Sequence, residues 1–171
     1  MNNIKSRILF ILFGALLLAG CSGNAVNLQD GDTYVTKEMN EVISDYIIQM
    51  SSSSHHKTEK QFEIHKVYGI NESDGVITVY MWSYYGGFNK STGTEFQEGH
   101  SLPAVIQLSK NGEKFSVTEY IQPQDGDMYQ SSLKKMFPKK YLKLVQQDTA
   151  NTKNLQQEMV ERVTRWLAKP E

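Results

Sequence analysis

The segment that most constrains the fold is the ten-residue run 76–85, VITVYMWSYY, in which β-branched and aromatic residues dominate. Side chains alternate between the two faces of a strand, and this run places large apolar groups on both. One face would carry Ile77, Val79 and Met81, and the other Val76, Tyr80, Trp82 and Tyr84. We expect a central strand with helices or a ligand on one side and partial cover on the other, ended by Gly86-Gly87.

Alternating apolar and polar residues predict further strands between residues 61 and 121. The turn-forming segment 71–75, NESDG, predicts a hairpin with the central strand. A second hairpin would join 103–109 to 114–121 through Asn111-Gly112, because this dipeptide suits turns in which both residues have positive φ. The sequence therefore predicts a four-stranded antiparallel meander.

Helical periodicity flanks the sheet on both sides. Before it, apolar residues recur at the spacing of one helix face, at Val35, Met39, Val42, Ile43, Tyr46, Ile47 and Met50. Asp32, Thr33 and Thr36 are all suitable N-caps for this helix. After the sheet, Asp127 would cap a short helix, Pro138 would begin a second, and residues 155–167 would form a last amphipathic helix.

These elements predict one α+β domain over residues 34–168. Its order would be an N-terminal amphipathic helix, a four-stranded antiparallel meander, and two to three C-terminal helices packed on the sheet. We expect the helices to cover one face of the sheet. A cystatin-like arrangement, in which a sheet wraps one helix, is compatible with the same order of elements.

The charge balance excludes some partners. Lys5 and Arg7 account for two of the 18 basic residues, so the chain after residue 20 carries 16 basic and 19 acidic groups. This acidic balance argues against binding of nucleic acid, which needs clustered positive charge. It also argues against tight adhesion to anionic lipid by charge alone. The single cysteine excludes a disulfide framework within the chain.

The first twenty residues have the layout of an export signal. Lys5 and Arg7 precede the apolar run 8–18, whose eleven residues are too few for a bilayer that needs about 20. Leu18-Ala19-Gly20-Cys21 resembles the lipobox of bacterial lipoproteins. The resemblance implies cleavage before Cys21 and a diacylglyceryl group, with a fatty acid such as palmitate, on its thiol. A plain signal peptide or a buried apolar helix is the alternative.

Residues 21–33 predict a flexible tether, because they are rich in Ser, Gly, Asn and Asp and poor in large apolar groups. With the anchor on Cys21, the domain would sit on the extracytoplasmic side of the cell membrane. Two acyl chains satisfy the requirement that stable anchoring takes more than one weak signal. Ser22, the residue after the cysteine, does not distinguish a host with one membrane from a host with two.

No motif for catalysis or metal binding stands out. His55 and His56 are adjacent on a Ser-rich segment, and His65 and His100 bring no further ligands at a familiar spacing, so we predict no metal site. Ser-x-x-Lys occurs across Ser132–Lys135, but an exposed basic helix face explains these lysines more simply. We therefore predict no catalytic residue and no cofactor other than the lipid on Cys21.

The aromatic end of the central strand is the candidate binding surface. Tyr84, Tyr85, Phe88, Asn89 and Lys90 would form its rim, since tyrosines beside a Gly-rich turn suit recognition of a peptide or glycan. The alternative is that these aromatic side chains belong to the core, as we expect for Tyr80 and Trp82. Alanine at Tyr85 and Phe88 would distinguish the two through its effect on the melting temperature.

Residues 120–129, YIQPQDGDMY, and 131–141, SSLKKMFPKKY, carry a family resemblance. They resemble the extracellular C-terminal region of BlaR1-like M56-family membrane peptidases of Firmicutes, and related lipoproteins, over about residues 60–145. The His-Glu-x-x-His motif of the peptidase half is absent from this chain. The resemblance implies a sensing or protein-binding role outside the membrane, without the protease.

Together these features predict a non-catalytic binding or sensing accessory domain held at the membrane by lipid. Its partner would be a protein or another envelope ligand. The alternative is an envelope-acting hydrolase or modifying enzyme, which should show a cleft with convergent titratable groups.

Overall fold

A computed structural model describes residues 28–52, 58–149 and 152–170. In these residues the chain forms an α+β fold with one five-stranded antiparallel sheet in the order β1-β2-β3-β4-β5. The elements are β1 (Leu28–Asp30), α1 (Lys37–Ser52), β2 (Lys60–Ser73), β3 (Val76–Phe88), β4 (Glu98–Asn111), β5 (Lys114–Ile121), α2 (Tyr129–Met136), α3 (Lys139–Asp148) and α4 (Lys153–Leu167).

Helix α1 covers one face of the sheet, as its apolar stripe predicts. Thr36 is the N-cap that the structure uses, since its Oγ1 accepts a hydrogen bond from the Met39 amide at 3.2 Å. The stripe packs on inward-facing residues of the central strands. The core on this side contains Met39, Ile43, Ile47, Ile70, Val79, Met81, Ala104, Ile106 and Leu108.

Helices α2, α3 and α4 cover the other face, which corrects the expectation that helices cover one face only. The core on this side is largely aromatic and contains Tyr68, Tyr80, Trp82, Tyr84, Phe88, Phe137 and Tyr141, with Leu133, Val145, Met159 and Val163 from the helices. The physical reason is visible in β3, whose apolar side chains on both faces require cover on both.

The sheet has five strands where the sequence predicted four. The extra strand, β1, lies inside the predicted tether and pairs with β2 over Gly69–Asn71. Leu28 packs on the aromatic core, and polar contacts hold the other two residues. The Tyr141 hydroxyl donates to Gln29 O at 3.2 Å and to Asp30 Oδ1 at 3.0 Å, and Lys140 pairs with Asp30. Gly69 makes this contact possible, because a Cβ there would collide with the Tyr141 hydroxyl.

Two glycine predictions also change. Gly86 and Gly87 continue β3 rather than end it, pairing with Gly99 and Glu98 of β4. A Cβ on Gly86 would collide with the ring of Phe96, so the glycine admits an aromatic ring into the sheet face. In the second hairpin Asn111 pairs with Lys114, and among the turn residues Gly112 alone has positive φ, at 64°.

The C-terminal helices begin differently from the prediction. Asp127 lies within a 3-10 turn, Gly126–Met128, and Met128 rather than Asp127 precedes the first residue of α2. Pro138 stands at the N-cap of α3, close to where the sequence placed it. Ser132 of the Ser-x-x-Lys pattern is buried, accepts a hydrogen bond from the Gln124 amide at 3.0 Å and donates to Tyr129 O. This serine therefore holds the segment before α2 in place.

Candidate functional site

The feature best suited to binding is an open strand edge. Because β1 pairs with β2 only over Gly69–Asn71, the outer edge of β2 from Lys60 to Val67 has no neighbouring strand among the described residues. A groove of about 880 Å³ runs along this edge between α1 and α4. The edge is therefore recessed between two helices.

The backbone of this edge offers hydrogen-bonding groups to the groove. Arg162 Nη1 of α4 reaches the carbonyl oxygen of Glu63 at 3.4 Å, so this carbonyl points away from β3. In an antiparallel strand the N–H and C=O of one residue point the same way, and the direction alternates along the chain. Gln61 and His65 consequently direct their backbone groups into the groove as Glu63 does.

Two polar walls flank the edge. The α1 wall consists of Lys37, Asn40, Glu41, Ser44, Asp45 and Ile48. The opposite wall, called the α4 wall below, consists of Asp148 from the end of α3 together with Thr152, Asn154, Leu155, Glu158 and Arg162. Ion pairs hold Glu158 to Arg162 at 2.7 Å and Glu41 to Lys37 at 3.4 Å, whereas Asp45 has no ion-pair partner among the described residues. The α1 wall therefore presents an uncompensated negative charge.

A buried carboxylate forms the centre of the polar contacts beneath α1. The side chain of Glu63 is fully buried and accepts three hydrogen bonds. Ser44 Oγ of α1 donates to Oε2 at 2.8 Å, Ser83 Oγ of β3 donates to Oε1 at 2.8 Å, and His65 Nδ1 lies 3.0 Å from Oε2. These bonds compensate for the loss of hydration that burial of a charge would otherwise cost.

The His65 side chain links this carboxylate to α1 and lines the groove. Its Nε2 lies 2.8 Å from Asn40 Oδ1, while its Nδ1 faces Glu63. Asn40 and Ser44 are one helical turn apart, so α1 contacts the same cluster from two successive turns. The cluster thereby fixes the position of α1 above the edge of β2.

His100 and Tyr85 complete this group of side chains, which we call the Glu63 cluster: Asn40, Ser44, Glu63, His65, Ser83, Tyr85 and His100. His100 Nε2 lies 3.5 Å from Ser83 Oγ, and its ring stacks on Tyr85 with centroids 5.2 Å apart. Burial lowers the pKa of His100, and the nearby Glu63 carboxylate opposes this in part. Burial also raises the pKa of Tyr120 to about 12, with Glu63 among the charges that raise it. Both shifts arise mainly from burial of the His100 and Tyr120 rings themselves.

The cluster contains serine, histidine and carboxylate, which are the residue types of nucleophilic catalysis. In a catalytic triad the histidine stands between serine and carboxylate, and the serine faces the substrate. Here Ser83 is fully buried and bonds directly to Glu63. What this arrangement can do is position α1 and stiffen the floor of the groove. Among the described residues no three His, Cys, Asp or Glu side chains are grouped to hold a metal ion.

The structure separates the five residues of the predicted binding rim. Tyr84, Tyr85 and Phe88 are 7%, 2% and 1% exposed, so their rings belong to the two cores. Asn89 accepts a hydrogen bond from the Glu59 amide at 3.0 Å and thereby joins the start of β2 to the end of β3. Lys90 is exposed and begins a 3-10 turn, Lys90–Thr92. Residues with solvent access at this rim are therefore Asn89 and Lys90.

Other predicted positions lie outside the described residues. These are Cys21, the lipobox that precedes it, and the histidine pair His55-His56. Within the described ranges no helix is long and apolar enough to cross a bilayer. Tyr80 and Trp82 are buried, as predicted for core residues.

The groove and the Glu63 cluster were not predicted from the sequence. Glu63 and His65 alternate with Phe62 and Ile64, a pattern that assigns the polar pair to solvent. One signal could have indicated the cluster: Glu63 and His65 lie in a strand next to a central strand whose two faces are both apolar, so that both faces of the sheet need cover. A comparison of the chain with known protein families, with curated proteins and with solved structures found no match.

Proposed function

We propose that this chain is a lipid-anchored extracytoplasmic domain that binds an extended polypeptide segment by strand addition along the open edge of β2. The observation that carries the binding role is the recessed edge from Lys60 to Val67, with its backbone groups directed into the groove. The anchor is proposed on the lipobox residues that end at Cys21. A protein partner is also what the resemblance of residues 120–129 and 131–141 to the extracellular region of BlaR1-like peptidases would imply.

The chemistry of the edge favours a polypeptide. A strand edge offers N–H and C=O groups at the spacing of another main chain, and strand addition derives affinity from these bonds. Eight residues of β2 at about 3.3 Å each give an edge of about 26 Å, which suits an extended segment of up to about eight residues. Alternate side chains of that segment would face the α1 wall and the α4 wall.

The charges of the walls indicate which side chains fit. Toward α1, the segment would place a lysine or arginine opposite Asp45, whose carboxylate is exposed. Toward α4, Leu155 is buried and Asn154 is exposed, so a small apolar or polar residue fits there. The entering strand would replace Arg162 at the carbonyl of Glu63, and the guanidinium would keep its pairing with Glu158.

The other sheet edge is less suited to the same role. Its strand, β5, shows a register shift against β4 between Gln107 and Leu108. A bulge of this kind twists an edge and discourages pairing with a further strand. By contrast, the pairing of β2 with β3 is regular from Lys60 to Val67.

Site-specific photocrosslinking in the producing cell tests the proposal with the full chain. A benzophenone amino acid would replace Glu41 or Asn154 in the groove, and Glu119 on β5 would serve as the control position. We expect polypeptide adducts from both groove positions and none from Glu119. Equal adducts from all three positions, or adducts from Glu119 alone, would contradict the proposal.

A synthetic peptide of the cross-linked segment then tests the strand geometry. N-methylation of the residues whose N–H faces β2 should weaken binding at least tenfold, while N-methylation of the intervening residues should change it less than threefold. Hydrogen exchange should slow at Gln61 and His65 when the peptide is bound. Equal loss with both peptides, without protection of these amides, would show that the groove binds side chains and not a strand.

A further inference from the structure

The charges of the described chain are strongly polarised across the sheet. Residues 128–170, which contain α2, α3 and α4, carry nine Lys and Arg against three Asp and Glu. Residues 32–52, which contain α1, carry one Lys against four Asp and Glu. Since α1 and α2–α4 cover opposite faces, one side of the molecule is basic and the other is acidic. The near-neutral total of the whole chain conceals this separation.

The basic side is concentrated on α2 and α3. From residue 128 to 147 the chain has five lysines and no acidic residue. All five are exposed, and we call them the lysine surface: Lys134, Lys135, Lys139, Lys140 and Lys143. The same segment, residues 128–147, also contains two exposed apolar side chains, Leu144 at 38% and Met128 at 49% exposure. Basic residues interspersed with exposed apolar ones are typical of helices that lie on a membrane surface.

The entry point of the N-terminal segment lies beside this surface. Asp30 of β1 pairs with Lys140, and the hydroxyl of Tyr141 donates to both Gln29 and Asp30. The Lys140 ammonium and the Tyr141 hydroxyl lower the pKa of Asp30, in keeping with this contact. Helix α3 is therefore joined directly to the strand that follows the proposed anchor. Six residues lie between Cys21 and Leu28, so the seven Cα–Cα steps that join them span at most about 25 Å.

We propose that the lysine surface rests on the anionic phospholipid head groups of the membrane that holds the acylated Cys21. This inference depends on the lipid anchor of the proposed function. The anchor supplies the high local concentration at the bilayer, and the lysines add electrostatic attraction that turns the α2–α3 side toward it. Helix α1 then faces away from the membrane, because its acidic residues are repelled by the same head groups. The groove lies at the side of the domain, where a partner can enter.

A depth measurement on the acylated full chain in lipid vesicles tests this orientation. Because Cys21 is the single cysteine and its thiol is acylated, a fluorophore can be attached to Gln147→Cys beside the lysine surface. Gln49→Cys on α1 is the matched control, since both glutamines are exposed. Spin-labelled lipids quench a fluorophore that approaches the bilayer. Vesicles of phosphatidylcholine alone are compared with vesicles that also contain phosphatidylglycerol.

We expect quenching at Gln147→Cys to be at least twofold stronger in the anionic vesicles, with little change at Gln49→Cys. Glutamine at Lys134, Lys135, Lys139 and Lys143 should abolish that difference, whereas glutamine at Lys110 and Lys114 should not. Raising the salt from about 0.05 M to about 0.5 M should also reduce it, because screening shortens the reach of surface charges. Lys140 is left intact because it pairs with Asp30.

Two results would overturn the orientation. One is similar quenching of the two labels, and the other is quenching at Gln147→Cys that is the same in neutral and anionic vesicles and the same with and without the four lysines. Failure of the anchor is distinguishable, because an unacylated chain would not float with vesicles of either composition. A chain that floats with both but shows no difference between labels retains the proposed anchor and contradicts only this inference. Melting curves of the glutamine variant show that the charge change leaves the fold intact.

Discussion

The two faces of the sheet are closed in different ways. On one face a single helix, α1, packs on aliphatic side chains of the sheet such as Ile70, Val79 and Ile106, and the Glu63 cluster lies beside them. On the other, three helices enclose interlocking rings, among which Tyr80 lies 5.3 Å from Tyr141 and 6.0 Å from Phe137 between ring centroids. Apolar contact is not directional, so a single helix needs hydrogen bonds to fix its position, whereas interlocking rings fix several helices by shape.

This difference has a consequence for the groove. Its α1 wall is positioned by bonds from Asn40 and Ser44 to a buried cluster, and its α4 wall by packing of Leu155, Met159 and Val163. The first wall should therefore respond to changes of charge and hydrogen bonding, and the second to changes of volume. The following substitutions test this comparison, from the largest expected effect to the smallest.

Phe88→Ala should have the largest effect, because it removes a ring from the aromatic core. The ring is 1% exposed and lies 5.0 Å from Phe96 and 6.1 Å from Phe62 between centroids. We expect the free energy of unfolding to fall by about 4 kcal/mol, measured by denaturant titration. Ser91→Ala on the neighbouring turn should change it by less than about 0.5 kcal/mol. If Phe88→Ala lowered the free energy of unfolding by less than about 1 kcal/mol, the ring would belong to the predicted binding rim and not to the core.

Glu63→Ala should have the next largest effect on stability, and the loss should come from broken hydrogen bonds rather than from lost packing volume. It leaves Ser44, Ser83 and His65 without their acceptor in a dry site, and we expect a loss of about 3 kcal/mol.

A volume-conserving pair isolates this cause. Glu63→Gln should cost more than Met159→Leu on the opposite face, where a swap of similar volume costs less than about 1.5 kcal/mol. If Glu63→Gln proved as silent as Met159→Leu, the carboxylate would not be what fixes α1. Hydrogen exchange of the α1 amides would report the local loosening directly.

Alkaline pH should act on the buried tyrosines, and Tyr80 is the one tested on the aromatic face. Burial raises the pKa of Tyr80 above its ordinary value of 10.0. The folded state therefore keeps a proton that the unfolded chain releases, so stability holds below pH 10 and falls as the pH rises beyond it. Tyr80→Phe removes this titration, and its unfolding midpoint should fall less than that of the wild type between about pH 10 and pH 11. Parallel losses in both proteins would contradict the assignment.

Mild acid should act on the α1 face, with the smallest effect of the series. Burial lowers the pKa of His100 from 6.5, partly against the Glu63 charge. The unfolded chain consequently binds the proton first, and stability should decline as the pH falls below 6.5 toward the folded-state value. His100→Gln should flatten this decline in melting temperature. An unchanged slope would mean that His100 is not the group responsible.

The local elements could largely be predicted from the sequence. The apolar spacing from Val35 to Met50 predicted α1, which spans Lys37–Ser52, and the α+β class is confirmed. These features are local, because a periodic apolar stripe and a cap decide a helix within a few turns. Strand β1 escaped prediction because three residues with little apolar surface are held by contacts with α3, more than a hundred residues away.

The candidate site depended almost entirely on tertiary structure. The alternation around Phe62 and Ile64 shows that Glu63 and His65 share one face of a strand. It does not show that α1 covers that face, nor that β1 is too short to cover the edge. In isolation, Gly86 and Gly87 likewise indicate the end of a strand, but the ring of Phe96 occupies the space beside Gly86, and the side chains of Thr58 and Glu98 occupy the space beside Gly87. Each case turns on a neighbour that is distant in sequence.

By itself the sequence determined the order of α1, the strands β2–β5 and the C-terminal helices, the apolar character of both faces of β3, and the lysine-rich composition of residues 128–147. Only the tertiary structure decided that Glu63 is buried with three hydrogen-bond partners, that the edge of β2 stays open in a groove, and that acidic and basic segments lie on opposite sides. The physical reason is the separation along the chain over which each interaction acts. Propensity and periodicity act over a few residues, whereas burial, edge pairing and charge separation depend on which distant segments the core brings together.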